Sequence, residues 1–320
     1  MVTLADLRAA QSRINGVATR TKLIEFQSPN LDDARKLFLK PENLQPIGAF
    51  KLRGAYNKIA SLSDAEKKRG VITYSSGNHA QGVAYAARAV GAKAVIVMPN
   101  NAPTVKREAT AALGAEIVTV GPGSLERQLK AEELAAQHGY VIVPPYNDEY
   151  IIAGQGTMGL EIMEDMPDVE TVLAPVGGGG MLSGIATAFK LTKPSVKVIG
   201  VEPELAGDAQ ASFRKGEIVQ FPAEQVSQTA ADGLRTQSLG PINFEHIKKY
   251  VDDIITVTED EILEAMKFLA RNPKTLPEPS GAVAVAGFLF HRDELPRTNI
   301  NVAVISGGNI DPALLAEVTQ

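Results

Sequence analysis

The sequence predicts an α/β protein built on parallel sheets with helices on both faces. Two observations carry this. Short β-branched runs bounded by turn residues recur along the chain, and longer stretches with helical apolar spacing lie between most of them. The alternation is not interrupted by a heptad run, a low-complexity tract or an internal repeat.

The chain opens on MVTLADLRAAQSRI, which reads as an amphipathic helix. Strand runs are expected at Leu37–Lys40, Val71–Tyr74, Ala94–Met98, Glu116–Val120, Tyr140–Val143, Thr171–Val176, Val196–Val201 and Asn301–Ser306. Helices are expected at Gln81–Val90, Pro103–Leu113, Leu125–Ala136, Met181–Leu191 and Glu259–Leu269. A length of 320 residues suits two domains or one large α/β unit. Closely spaced strand–helix units from about Gly70 to Tyr146 predict a small α/β domain, residues 70–146, inserted into a larger one of residues 1–69 and 147–320. The Pro144–Pro145 turn and the Gly-rich segment Gly154–Gly159 are the expected hinges.

Composition removes several function classes. Thirty-two Lys and Arg stand against 37 Asp and Glu, for a net charge of −5. That balance opposes nucleic acid as a partner, because phosphate backbones need a basic field, but it leaves room for a small anion in a local pocket. The chain has no cysteine, which rules out disulfides, thiolate metal sites and Cys nucleophiles. Its four histidines, His79, His138, His246 and His291, share no HxH or HxxxH spacing, so a histidine-based metal centre is not expected. Apolar runs such as Val95–Met98 fall far short of a membrane span, and the N-terminus has no signal-peptide apolar core. A soluble cytoplasmic protein is the resulting expectation.

The strongest local signal is Val176-Gly177-Gly178-Gly179-Gly180-Met181-Leu182-Ser183-Gly184, after one strand and opening a helix. Four consecutive glycines let backbone N–H groups converge at a helix N-terminus, where partial positive charge favours a phosphate. A tight turn packed on a neighbour is the plainer alternative. The pattern fits the dinucleotide fingerprint G-x-G-x-x-G only loosely, although Glu202, at the next strand end, stands where a ribose-binding acid would be. A nicotinamide oxidoreductase therefore stays open on this loop alone. Two further polar glycine loops, Ser75-Ser76-Gly77-Asn78-His79 and Ser306-Gly307-Gly308-Asn309, also follow strands, at the sheet ends where ligands bind. Helix capping is the plain alternative for either loop. Lys51, in Gly48-Ala49-Phe50-Lys51-Leu52-Arg53, follows a small, apolar lead-in that is unusual for a solvated lysine. A lysine desolvated beside a phosphate loop is suited to imine formation.

With these residues in place, the chain resembles the fold-type II pyridoxal-phosphate enzymes. More narrowly it is similar to their branch of serine racemases, serine/threonine dehydratases and threo-3-hydroxyaspartate ammonia-lyases. The motifs KPENLQPIGAFKLRGA, SSGNHAQGVA, AGQGT, PVGGGGMLSG, GVEP, EPSGA and SGGNID carry the resemblance, in the family's order and over nearly the whole length. It implies two doubly wound α/β domains with the cofactor in the cleft between them. It also implies that Lys51 carries pyridoxal 5'-phosphate and that Phe50 packs on its ring. Asn78 would bond the phenolic oxygen, and Gly177, Gly178, Gly179, Gly180 and Met181 would hold the phosphate. Ser306 would face the pyridine nitrogen, with Glu278 close by and Gly233 lining the other side. A neutral hydroxyl at that nitrogen makes the ring a weaker electron sink, which suits β-elimination and isomerisation more than transamination.

The same resemblance places the substrate carboxylate on the loop Ser75, Ser76, Gly77, Asn78 and His79. It makes Lys51 the base at Cα of an L-amino acid. Ser76 stands where racemising members have Ser and strict dehydratases often have Ala, so it would serve the opposite face; otherwise it caps the helix or binds the carboxylate. Arg127, with Thr236 beside it, matches an Arg that meets a distal carboxylate, which would make 3-hydroxyaspartate a substrate at least as good as serine. A solvated helix arginine is the alternative. The family's divalent site maps to Glu202, the Ala206 carbonyl and Asp208, a set of hard oxygens suited to Mg²⁺, Ca²⁺ or Mn²⁺ in a structural role. A homodimer is implied as well. The family's early Arg-Thr-Pro-Leu is Arg20-Thr21-Lys22-Leu23 here, a change in local stiffness only. A catalytically silent amino-acid-binding relative is the third class, and the presence of Lys51, Asn78, Glu278 and Ser306 together speaks against it.

Overall fold

The computed structural model describes residues 1–27, 35–102, 104–121 and 123–319. Its strands are β1 (Ile24–Phe26), β2 (Lys36–Pro41), β3 (Val71–Tyr74), β4 (Ala94–Pro99), β5 (Glu116–Val120), β6 (Val141–Ile142), β7 (Thr171–Pro175), β8 (Lys197–Pro203), β9 (Asp253–Val257) and β10 (Ile300–Ile305). They form two sheets, one of six strands in the order β1-β2-β10-β7-β8-β9 and one of four in the order β5-β4-β3-β6. Apart from the antiparallel β1–β2 edge, every pairing is parallel.

Period-two burial explains why both faces are covered. In β10, Ala303 and Ile305 join the core under the helices Glu259–Ala270 and Pro279–Phe290, while Val302 and Val304 join the opposite core under Glu149–Asp165 and Gly180–Thr192. In the smaller sheet, Ile96 and Met98 face one core and Val95 and Val97 the other. The first of these cores also draws on Ala55 and Ile59 of the helix Lys51–Ala60 and on Ile151. The helix that starts at Lys51 therefore lies between the two sheets.

Every strand run expected from sequence forms, within a residue or two at the ends. The short edge strand β1 and β9 are additional. The helix Pro279–Phe290 has no polar face to betray it: ten of its residues, Pro279 to Phe288, are buried, so it lacks an amphipathic period. Pro103, named above as the start of one helix, lies outside the described residues, and the helix runs Thr104–Ala112. No helix among the described residues is long and apolar enough to cross a membrane.

The hinge expected at Gly154–Gly159 is overturned. These glycines lie inside the 17-residue helix Glu149–Asp165, buried from Ile151 to Ile162. They serve close packing: a Cβ on Gly154 would stand 2.6 Å from the Gly54 Cα, and one on Gly156 would stand 2.7 Å from the Gly184 carbonyl oxygen. The helix is thus pressed against the Lys51 helix on one side and the helix after the tetraglycine on the other. Small residues let backbones touch, and the sequence signal for a bend was a signal for contact.

Gly154→Ala is expected to destabilise the protein by about 1–3 kcal/mol, because the new methyl meets backbone rather than a movable side chain. Urea denaturation of the variant against the parent measures this.

Candidate active site

Parallel strands gather their C-terminal loops on one side, and the candidate residues come from those loops. Ser75 follows β3, Val176 follows β7, Glu202 ends β8 and Ser306 follows β10. Lys51 opens its helix, and the chain before it is stitched to the loop after β10. Ala49 bridges Gly307, the Phe50 N–H donates to the Ser306 carbonyl at 3.0 Å, and the Gly308 N–H donates to the Gly48 carbonyl at 2.9 Å. Position 48 takes glycine because its φ is 71° and because a Cβ there would stand 2.4 Å from the Asn309 Oδ1.

Two residues beyond Lys51, Arg53 is wholly buried in a cluster of four charges. Its Nε and Nη2 donate to Glu42 at 2.7 and 2.8 Å, and its Nη1 and Nη2 donate to Glu161 at 2.7 and 2.8 Å. Lys40 Nζ donates to Glu161 at 2.6 Å and to the Thr21 carbonyl at 2.6 Å. Two cations and two anions close on one another, which joins the Lys51 helix to β2, the turn after it and the long helix Glu149–Asp165.

The Lys51 Nζ donates to the Pro145 carbonyl at 2.8 Å and lies 5.1 Å from the centre of the Phe50 ring. Burial pulls its amine down to about 8, so a neutral lysine is accessible near neutral pH. The residue after Pro145 lies against the tetraglycine loop: a Cβ on Gly178 would enter the Tyr146 ring at 2.4 Å. Burial raises the Tyr146 phenol to about 12, which keeps it protonated. Both readings of this loop hold in part. Its missing side chains do permit close packing, on Leu234, Tyr146 and Ile247. Its backbone amides, however, are free: the N–H groups of Gly177 to Met181 donate to no described residue, while the Gly178 carbonyl is taken by the Gly240 N–H at 3.1 Å and the Asn243 Nδ2 at 2.7 Å. Held carbonyls and free amides at the start of Gly180–Thr192 are what a phosphate requires.

Asn78 is the first residue of the helix Asn78–Ala89, with Gly77 as its N-cap. The Asn78 Nδ2 donates to Glu278 Oε1 at 2.6 Å, and its Oδ1 accepts from Asn309 Nδ2 at 2.7 Å. Glu278 is buried, and burial, aided by Asp232, raises its carboxyl to about 7. The Ser306 hydroxyl donates to the Ser280 carbonyl at 3.2 Å, and the Gly233 N–H donates to the Ser280 hydroxyl at 2.9 Å, which brings Gly233 and Ser306 to one short segment. Sequence reasoning missed Asn309, Tyr146 and Asn243. Asn309 lies within SGGNID and was within reach; the other two act through packing and a carbonyl bond that no spacing announces.

In the Ser75–His79 loop, the Gly77 N–H donates to the Ser75 hydroxyl at 3.3 Å, and the Ser76 hydroxyl bonds to no described residue. Ser76 is therefore not acting as a cap. The His79 side chain turns away into the core. Arg127 is half-buried, its Nε has no acceptor and burial pulls its guanidinium down; the Thr236 hydroxyl is likewise buried without a partner. The two do not bond each other.

Glu202 is buried at the end of β8, where its carboxylate accepts the Ala209 and Gln210 N–H groups at 3.2 and 2.5 Å. It is turned onto the first turn of the helix Asp208–Lys215, not presented to a ribose, and the nicotinamide alternative loses its acid. Both oxygens of Asp208 are buried without a donor. Burial, joined at Glu202 by the Asp208 charge, pushes both carboxyls up, Asp208 to about 8. Two buried carboxylates with no cationic partner fit a hard cation. Among the described residues no three His, Cys, Asp or Glu come together as a metal site, so backbone and water oxygens would have to complete the shell.

A half-buried lysine and a helix N-terminus with free amides thus lie against one Pro145–Tyr146 segment, an arrangement with room for one anionic group beside one amine. The comparisons agree. The pyridoxal-phosphate dependent enzyme family matches residues 14–307. L-threonine ammonia-lyase of Thermotoga maritima is 46% identical over 99% of this chain and 78% of that protein. L-threo-3-hydroxyaspartate ammonia-lyase of Saccharomyces cerevisiae is 40% identical over 97% of this chain and 94% of that protein. The crystal structure of serine racemase from Dictyostelium discoideum superposes with a TM-score of 0.89 at 38% identity, over 97% of this chain and 99% of that one. The chain belongs to the pyridoxal-phosphate dependent enzyme family, on its branch of ammonia-lyases and racemases.

The buried Glu278 gives a pH test. Its carboxyl is raised from 4.5 to about 7 on folding, so its contribution to stability is full below about pH 4.5 and is lost as pH climbs through about 7. Between those limits the cofactor-free parent should lose on the order of 3 kcal/mol relative to Glu278→Gln, which cannot ionise. Urea unfolding of both chains across that range checks the difference.

Proposed function

We propose that this enzyme removes the Cα proton of L-serine, L-threonine or L-3-hydroxyaspartate. It then either expels the β-hydroxyl, giving a 2-oxo acid and ammonia, or returns a proton to the opposite face. The observation that carries the reading is the half-buried Lys51, with its amine near 8 and no carboxylate partner, sharing one wall with the free amides of the tetraglycine loop.

When bound, pyridoxal phosphate supplies an electron-withdrawing ring that acidifies the substrate Cα–H. The residues do the rest. Lys51 would hold the cofactor covalently, and the amides of Gly177–Met181 its phosphate. Asn78, fixed by Glu278 and Asn309, would meet the phenolic oxygen, and neutral Ser306 the pyridine nitrogen. The free amides at the start of Asn78–Ala89 and the Ser75 hydroxyl bind the substrate carboxylate. Lys51 Nζ, neutral when free, would take the proton from one face. The unbonded Ser76 hydroxyl serves the other face. Arg127 and Thr236, both with buried unpartnered atoms, receive a distal carboxylate, which favours 3-hydroxyaspartate. Residues 70–146 form the small domain, since all strands of the four-stranded sheet fall inside them. The working unit in this reading is a cytoplasmic homodimer, which the resemblance alone supports.

An assay of both serine enantiomers, threonine and the 3-hydroxyaspartate isomers, scoring 2-oxo acid and inverted amino acid together, tests the reading. Lys51→Ala should abolish both products. Arg127→Ala should cut kcat/KM for hydroxyaspartate about 10- to 100-fold and leave serine nearly unchanged. Equal efficiency on hydroxyaspartate removes Arg127 from the account.

Glu202, the Ala206 carbonyl and Asp208 are the proposed structural site for Mg²⁺, Ca²⁺ or Mn²⁺. Saturating Mg²⁺ or Ca²⁺ should raise the melting temperature by roughly a few degrees, and Asp208→Asn should erase the rise. A parent chain that melts at the same temperature with and without the ions has no such site.

A further inference from the structure

The His79 side chain is turned into the core, toward the segment that meets Lys51. Its side chain is 3% exposed, and its Nε2 lies 3.0 Å from the Val143 carbonyl oxygen. A carbonyl only accepts, so Nε2 carries the proton and Nδ1 is a bare lone pair; Nδ1 is buried with no donor. Burial first, and the Lys51 charge second, push the ring's pKa down to about 3, so the imidazole is neutral at working pH. One turn further along the same helix, a Cβ on Gly82 would stand 3.3 Å from the Lys51 carbonyl group, so this face of the helix lies on the Lys51 segment.

The path from His79 to Lys51 runs through Val143, Pro144 and Pro145. The Val143 N–H is fixed to the Ile72 carbonyl at 2.8 Å, and its carbonyl is fixed by His79. Neither proline has an N–H to anchor it, and each locks its own φ. The Pro145 carbonyl, which accepts from Lys51 Nζ at 2.8 Å, thus lies two residues from the anchored Val143, with φ fixed at both prolines. We propose that His79 is a positioning residue for Lys51: its Nε2–H holds the Val143 carbonyl so that the Pro145 carbonyl meets and orients the Lys51 amine. The proposal rests on the reading of Lys51 as the acting amine.

The geometry selects the variants. His79→Gln can put an N–H near the Nε2 position; His79→Asn is one bond too short to reach Val143. In the full cofactor-free chain, competitive methylation read by peptide mass spectrometry gives the pH midpoint of Lys51, about 8 in the parent. The Asn variant should move this midpoint by about half a pH unit or more, and the Gln variant should keep it. In the reconstituted enzymes the Asn variant should lose about tenfold or more in kcat with KM nearly unchanged, and its pH profile should shift in step. Parent-like behaviour in both variants, or equal displacement in both, overturns the proposal. Should the Asn variant not fold, a folded Gln variant with a displaced midpoint overturns it, and one with the parent midpoint and kcat supports it. Borohydride reduction of the parent with pyridoxal phosphate, followed by mapping of the labelled peptide, keeps the two claims apart. A label elsewhere than Lys51 removes the underlying reading; a label on Lys51 with an unmoved Asn midpoint removes only the role of His79.

Discussion

Arg53 and the carboxylates that grip it are the constraint on which the site depends. Taking four charges out of water is costly, and a group of well-packed apolar residues would often serve stability as well or better. What the charges supply is direction. A planar guanidinium held by both oxygens of Glu42 and by Glu161 cannot slide or rotate without breaking several bonds at once. Lys51 is two residues away on the same helix, so its origin is fixed to β2 and to the helix Glu149–Asp165 together. Lys40 completes the neutrality, and Thr21, Gln45 and Thr157 take the remaining lone pairs and protons. Each buried charge is paired and hydrogen-bonded, the condition under which such a cluster is tolerated.

Close packing carries that direction to the rest of the site. The Lys51 helix crosses Glu149–Asp165 at Gly54 and Gly154, and the latter helix meets Gly180–Thr192 at Gly156 and Gly184. Three helices are thus locked at glycine contacts, where no side chain is present to yield. The helix that begins the tetraglycine amides and the helix that begins with Lys51 are spaced by one intermediary. This is how two groups far apart in sequence reach the same Pro145–Tyr146 wall in a repeatable geometry.

Much of this was legible in the sequence, for identifiable reasons. Strands buried on both faces announce themselves as β-branched runs, and the loops at their ends as glycine with Ser or Asn, so β3, β7 and β10 and the loops after them could be read directly. Lys51 was legible through its apolar lead-in. The segment Gly154–Gly159 was misread because a glycine says only that a side chain is unwelcome; whether the reason is a bend or a neighbour depends on what lies opposite, and Gly54 lies a hundred residues away. The helix Pro279–Phe290 escaped because a helix buried all round has no period. Tyr146 and Asn243 escaped because they support the tetraglycine loop by shape and by a bond to its carbonyl, roles that no sequence spacing marks.

Unsatisfied polar groups are absent from the most highly charged part of the scaffold. A buried donor or acceptor without a partner costs about 1–3 kcal/mol, so a fold retains few without cause. The Arg53 cluster, though the most highly charged interior region, has none. Both oxygens of Asp208, the Nε of Arg127 and the hydroxyl of Thr236 are orphans at residues assigned above to ligands, and the amides of Gly177–Met181 are free, but Asn43, Thr73, His79, Gln155, Asn243, Glu259 and Arg292 each keep an orphan as well. Under the proposed function Asp208 would meet a cation, Arg127 and Thr236 a distal carboxylate, and the free amides a phosphate. Binding then satisfies groups already in position, with little reorganisation at the moment of reaction, which is the physical meaning of a preorganised site.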